Sequence, residues 1–175
     1  MVASNTKTVA KSFRINKKAL RSVQEEAKRQ NLSVNMLVNQ LLIDYSEFGR
    51  LAHQVNSLLL SRRTFSEILS VTPEEGLATA GRNAGKTAPS TLILSKTGED
   101  VTVKSILEYM HDLSSYANLF EYSETHENGH WTITLQHELG NKWSIFLANY
   151  LTEAFNLASA QPKITVSERS ITLKL

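Results

Sequence analysis

Apolar and polar positions alternate from Thr8 to Ile15 (TVAKSFRI): Val9, Phe13 and Ile15 share a side with Lys11, while Ala10, Ser12 and Arg14 take the other. That period of two predicts a strand. The period then lengthens. From Lys17 to Gln30, Ala19, Leu20, Val23 and Ala27 recur at helical spacing behind Asn16, a fair cap, and Asn31 can close the helix in a left-handed conformation. Ser33 is expected to cap a second helix whose apolar residues, Val34, Leu37, Val38, Leu41, Leu42, Ile43, Tyr45 and Phe48, cover too much of the circumference for a surface helix.

A helical connector is expected over 49–89. Leu51, Val55, Leu58 and Leu59 keep the helical spacing, Thr64 with Glu67 forms a capping box, and Thr72-Pro73-Glu74-Glu75 starts a further helix. Gly, Asn, Pro and Ser accumulate from Ala80 to Ser90, which reads as a loop or linker. Over 90–175 the pattern predicts strands at Thr91–Ser95, Leu119–Ser123, Trp131–His137 and Ile171–Leu175, and helices at Val103–Ala117 and Lys142–Leu157. Asn128-Gly129 marks a hairpin. The order βαββαβ predicts a ferredoxin-like arrangement of two helices on one face of a four-stranded sheet, which ACT-type sensing domains also use. The fold class expected is therefore α+β in three parts, 1–48, 49–89 and 90–175.

The predicted strand at 8–15 has no neighbour. The next strand pattern lies some seventy residues on, so its N–H and C=O groups would form an unprotected edge. Two copies that pair these strands and interlock their second helices remove both difficulties, so the pattern calls for a homodimer.

Composition adds a division of charge. Residues 1–50 hold nine Lys/Arg against four Asp/Glu, a net of +5, and residues 51–175 hold ten against thirteen, a net of −3. A basic leader on a mildly acidic body points to a polyanion at one end. The 175 residues contain no Cys, which excludes disulfides, thiolate zinc sites and a cysteine nucleophile. No apolar run approaches the roughly 18 residues of a membrane span, and Met1 to Asn16 lacks the apolar centre of a signal peptide, so a soluble cytoplasmic protein is expected.

The run SFRIN-KKALRSVQEEAKRQN-LSVNMLVNQLL resembles the ribbon-helix-helix DNA-binding fold of the Arc and methionine repressors over residues 7–48. Asn16-Lys17 replaces the Pro or acidic residue common at the start of the first helix, and Asn31 the Gly common between the helices. The resemblance implies an intertwined dimer whose two-stranded ribbon enters the major groove of double-stranded DNA and reads bases with Ala10, Ser12 and Arg14. Arg14 suits a bidentate pair with guanine, Ser12 donates or accepts, and Ala10 touches a thymine methyl. The amides of Ser33, Val34 and Asn35 at the second helix's positive end suit a phosphate, and Lys7, Lys11, Lys17, Lys18 and Arg21 add sequence-independent attraction. Taken singly, the lysines equally fit a solvated face, and Ser33 a plain cap.

Other chemistry is thinly represented. In GRNAGKT (81–87) the glycines stand four apart where a phosphate loop needs five, and a helix precedes them. His126 and His130 flank the expected hairpin turn where they could approach one another, but alternation turns His130 away from His137, so His111, His126, His130 and His137 do not form one cluster and no metal site and no cofactor are expected. In HELGNKWS (137–144), His137, Gly140, Asn141 and Trp143 combine an imidazole, helix N–H groups and an indole, which suits a small effector pocket; equally, His137 satisfies a buried carbonyl, Asn141 caps and Trp143 fills the core.

In outline, a ribbon module followed by a βαββαβ domain is similar to the nickel-responsive repressors, without their ligand set. The expected function is a transcriptional repressor, dimeric or tetrameric, whose carboxyl-terminal half oligomerises and takes a small-molecule effector. The alternative is an antitoxin that uses the same module for autoregulation. An enzyme finds no support in a nucleophile elbow, a phosphate loop or a ligand pair.

Overall fold

The structure, a computed structural model, describes residues 8–127 and 130–175. The chain is mixed α+β and divides into two compact units, 1–46 and 47–175.

In the first unit, Thr8 to Ile15 carries no regular secondary structure in the single chain. The predicted strand is thus not formed here: a strand is defined by its ladder, and among the described residues of this unit no second strand offers one. Helix α1 spans Lys17–Arg29, and the Asn16 Oδ1 accepts hydrogen bonds from the Lys18 and Ala19 amides at 2.9 and 3.3 Å. Asn31 takes φ +55°, the left-handed turn expected of it. Helix α2 spans Val34–Asp44 behind Ser33, whose Oγ accepts from the Met36 amide at 3.1 Å. Only Ala27 and Leu37 are buried in these two helices.

The stretch expected as a connector belongs instead to the second unit. A π-helical turn, Tyr45–Gly49, leads into the short helix α3, Arg50–Gln54, and the helical spacing that suggested a longer helix ends there, with Leu58 and Leu59 exposed. Helix α4, Arg62–Val71, is capped by Ser61, whose Oγ accepts from the Thr64 amide, rather than by Thr64 itself. Helix α5 runs from Glu74 to Thr97. It absorbs both the expected loop at Ala80–Ser90 and the expected strand at Thr91–Ser95. Its buried positions, Leu77, Gly81, Gly85, Pro89 and Ile93, recur every four residues and form one face.

Helix α6, Val103–Ala117, starts with a reciprocal cap between Thr102 and Ser105 and ends at Asn118 with φ +52°. Strands β1, Glu121–Glu127, and β2, His130–Gln136, pair antiparallel with Glu127 opposite His130, around the Asn128-Gly129 pair that lies outside the described residues. Helix α7, Gly140–Leu157, is followed by β3, Lys163–Val166, which the pattern did not predict, and β4, Ser170–Lys174. The sheet is antiparallel in the order β1-β2-β4-β3. The βαββαβ expectation is therefore corrected to αββαββ for α6 to β4, because the segment expected as a first strand lies in α5.

One sheet face supplies Ile133, Leu135, Ile171 and Leu173 to a core shared with Ile106 and Met110 of α6 and Leu147, Leu151 and Phe155 of α7. On the other face Ser123, Thr134, Thr172 and Thr165 stand in register across all four strands. Within the core, the Tyr109 and Tyr150 hydroxyls meet at 2.6 Å, and burial pushes the Tyr109 phenol up to about 12. No helix of the described residues is long and apolar enough to cross a membrane.

Helices α5 and α7 touch backbone to backbone. A Cβ on Gly81 would lie 2.4 Å from the Phe146 carbonyl oxygen, and one on Gly85 2.3 Å from that of Tyr150. Since carbonyl oxygens cannot yield as a side-chain tip can, Gly85→Ala is expected to destabilise the protein by about 1–3 kcal/mol in urea unfolding. At Gly76, in the same helix, the nearest atom to a new Cβ is 3.7 Å away. Gly76→Ala should change the unfolding free energy the opposite way, stabilising by up to about 1 kcal/mol.

Candidate functional site

The first unit presents a cationic surface. Ala10, Lys11, Ser12, Arg14, Lys17, Lys18 and Arg21 are all exposed, and Lys7 lies outside the described residues. Among the described residues Lys11, Arg14, Lys17 and Lys18 form no ion pair, whereas Arg21 pairs with Glu25 at 2.9 Å along α1. So exposed an i,i+4 pair holds Arg21 weakly and leaves it exchangeable with a phosphate. At the start of α2 the Ser33 hydroxyl takes the Met36 amide, while the amides of Val34 and Asn35, with no partner inside the helix, point outward at the positive end of its dipole.

The same unit leaves large apolar groups uncovered. Phe13 is 68% and Leu42 55% exposed, and Val9, Ile15, Met36, Leu41, Ile43 and Tyr45 are exposed with them. This surface accompanies a nearly empty interior, which distinguishes it from the scattered exposed side chains of an ordinary monomer.

In the second unit the four residues expected to form an effector pocket separate. His137 is buried at the end of β2. Its Nδ1 accepts from the Leu139 amide at 3.4 Å, and Nε2–H donates to the Ser144 Oγ at 3.0 Å, which in turn donates to the Glu168 carbonyl at 3.2 Å. This chain of donors assigns the neutral Nε2–H tautomer, and burial lowers the imidazole's pKa. Gly140 takes φ +76° to open α7, Asn141 is exposed and not the cap, and Trp143 is a core residue stacked on Phe146 at 4.8 Å with Phe65 edge-on at 5.1 Å. The Trp143 Nε1 has no hydrogen-bond partner among the described residues. The expected convergence of indole, amides and imidazole is therefore corrected: Trp143 turns into the helical layer, away from any opening.

His137 instead lies in the floor of a different cavity of about 240 Å³, bordered by Arg62, Asn118, Glu121, Gln136 and Glu138. Sequence reasoning missed Arg62 and Glu121 because they come from α4 and β1, far along the chain from His137. It also missed Lys142, whose Nζ donates to the Ser70 and Thr72 carbonyls at 2.6 and 2.8 Å and ties α7 to the end of α4. The other three histidines weighed as ligands do not gather: His126 leans on Trp131 at 4.6 Å, His111 meets Tyr122 edge-on, and His130 faces the opposite side of the sheet from His137. Among the described residues, no group of three His, Asp or Glu side chains could hold a metal ion.

No family model and no curated protein matches the chain. The functional reading rests on the residues themselves.

A buried histidine whose pKa is depressed contributes stability in full above the unfolded value near 6.5, and loses it as pH falls through that value toward the folded one. Protonation would also turn Nδ1–H against the Leu139 amide. Unfolding free energy should decline from about pH 7.5 to pH 5, and in His137→Gln, less stable throughout, the part of that slope due to His137 should vanish. Urea titrations at several pH values check this.

Proposed function

We propose that the chain is a sequence-specific DNA-binding regulator, a transcriptional repressor, that acts as a homodimer through a ribbon-helix-helix module at residues 7–48. The observation that carries this reading is the pairing, in one small unit, of an interior with two buried side chains and an outer surface that is both apolar and cationic. A unit of this size, without disulfides, reaches stability by oligomerising.

In the dimer, Thr8–Ile15 of each copy pairs antiparallel with its counterpart. Val9, Phe13 and Ile15 then turn onto the interlocked α2 helices, and Ala10, Ser12 and Arg14 face the major groove. The Val34 and Asn35 amides hold a phosphate beside the groove, and Lys11, Lys17, Lys18 and Arg21 supply the salt-dependent part of affinity. Three side chains per copy form a brief code, so discrimination also draws on DNA deformability and on dimers bound side by side. The carboxyl-terminal unit sets the spacing of those dimers and responds to a small effector. Residues 47–175 are folded rather than a free peptide arm, which speaks against the antitoxin reading.

Fragments selected from random DNA by the purified protein provide the cognate site. On that site Arg14→Ala should cost about 1–3 kcal/mol for each of the two copies in the dimer while leaving nonspecific affinity nearly unchanged. Lys17→Ala should weaken both alike and reduce the salt slope by about two, one for each copy in the dimer. Equal losses from Arg14→Ala on both DNAs would make Arg14 a phosphate contact. In sedimentation at micromolar concentration, residues 1–50 should be dimeric and Phe13→Asp should return them to monomers. A monomeric wild-type segment defeats the proposal.

A further inference from the structure

We infer that the loop between α3 and α4 is an interfacial membrane anchor: Leu58 and Leu59 enter the surface of a bilayer rich in anionic lipid, and Arg62 and Arg63 hold its headgroups.

The loop, residues 57–61, is fastened at both ends. Before it, Asn56 turns at φ +52° and the Ser57 amide donates to the Ala52 carbonyl at 2.9 Å, which closes α3. Leu51 of α3 is buried. After the loop, Ser61 caps α4, and Phe65 and Leu69 seat that helix in the core, with Phe65 edge-on to Trp143. Between these fixed ends three consecutive leucines face water. Leu58 is 83% and Leu59 97% exposed, and Leu60 is exposed beside them. Leucines scattered over a surface are ordinary, but adjacent ones on a loop with anchored ends form an apolar prominence that marks a contact.

Charge decides what covers it. Residues 48–66 contain Arg50, His53, Arg62 and Arg63 and no Asp or Glu. Arg63 is exposed and forms no ion pair among the described residues. Arg62 gives one hydrogen bond, Nη1 to the Glu138 Oε2 at 3.2 Å, with both side chains largely exposed. A pair so open to water is weak and exchanges with a lipid phosphate. A second copy docked two-fold on the leucines would bring the arginines of both loops together, with no carboxylate of the segment between them. A DNA backbone would satisfy the arginines and leave Leu58 and Leu59 in water. An anionic bilayer surface takes both: the acyl boundary accepts the leucines while headgroup phosphates accept the guanidinium groups. The amides of Leu58, Leu59 and Leu60 make no backbone hydrogen bond among the described residues. Insertion therefore stops at the hydrated headgroup boundary, where water still reaches them, and requires no membrane-spanning helix.

The anchor lies within residues 47–175 and does not rest on the DNA-binding reading. Cosedimentation of the full chain with phosphatidylglycerol vesicles should show saturable binding that added salt weakens. Phosphatidylcholine vesicles should bind at least roughly tenfold more weakly. Leu58→Ser with Leu59→Ser should weaken binding roughly tenfold or more, and Arg63→Gln roughly fivefold. Glu138→Gln, which frees Arg62 and removes a like charge, should strengthen it. Leu94→Ser, which removes an exposed leucine of α5, should change nothing. All these side chains are exposed, so urea midpoints close to wild type are expected and show that each variant is folded. Because the chain has no Cys, Ser57→Cys carries a single environment-sensitive fluorophore, whose emission should move to the blue on addition of phosphatidylglycerol vesicles. Absence of binding to those vesicles overturns the inference. So does binding that the paired leucine substitution leaves intact, which assigns the lipid to the basic first unit. A blue shift that grows with protein concentration without lipid puts a second copy on the loop and overturns it as well.

Discussion

The backbone contact between α5 and α7 governs the second unit. Where Gly81 and Gly85 bring one helix against the carbonyl oxygens of Phe146 and Tyr150, no side chain keeps the two axes apart. That proximity fixes the height at which α7 rides over the sheet, and therefore where Leu147, Leu151 and Phe155 meet Ile133, Leu135, Ile171 and Leu173. Lys142 adds a second tie, from the first turn of α7 to the end of α4. With α7 so placed, Ser144 reaches both His137 and the Glu168 carbonyl, and the cavity floor is set.

The first unit follows the opposite logic. Its local chemistry is complete: Asn16 and Ser33 cap their helices, and Asn31 makes the turn between them. What it lacks is interior. Well-formed helix ends arrange the backbone but do not remove apolar surface from water, and that removal contributes more to stability than the caps do. In the proposed dimer, a second copy of the unit supplies that interior.

This contrast explains what could be read in advance. The Asn16 and Ser33 caps, the left-handed Asn31, α6, α7 and the β1–β2 hairpin depend on neighbours within a few residues, and the pattern carries them directly. Gly, Asn, Pro and Ser at 80–90 looked like punctuation because each is unfavourable in an isolated helix. Yet Leu77, Gly81, Gly85, Pro89 and Ile93 repeat every fourth residue, a helical period written in small residues instead of large ones. Tertiary contact with α7 overrides the local preference. The cavity was illegible for another reason: Arg62 and Glu138 are 76 positions apart, and only the packed structure brings them together. His137, in contrast, declared its buried side through alternation with Ile133 and Leu135.

The hydroxyl pair between α6 and α7 bears on how this core can drift over time. Tyr109 and Tyr150 satisfy each other inside apolar surroundings, so each is the other's solvent. Loss of one oxygen strands its counterpart at a cost of about 1–3 kcal/mol, whereas loss of both leaves two rings of nearly unchanged volume and is close to neutral. Substitution at the two positions is therefore expected to be coupled, with Phe at one favouring Phe at the other.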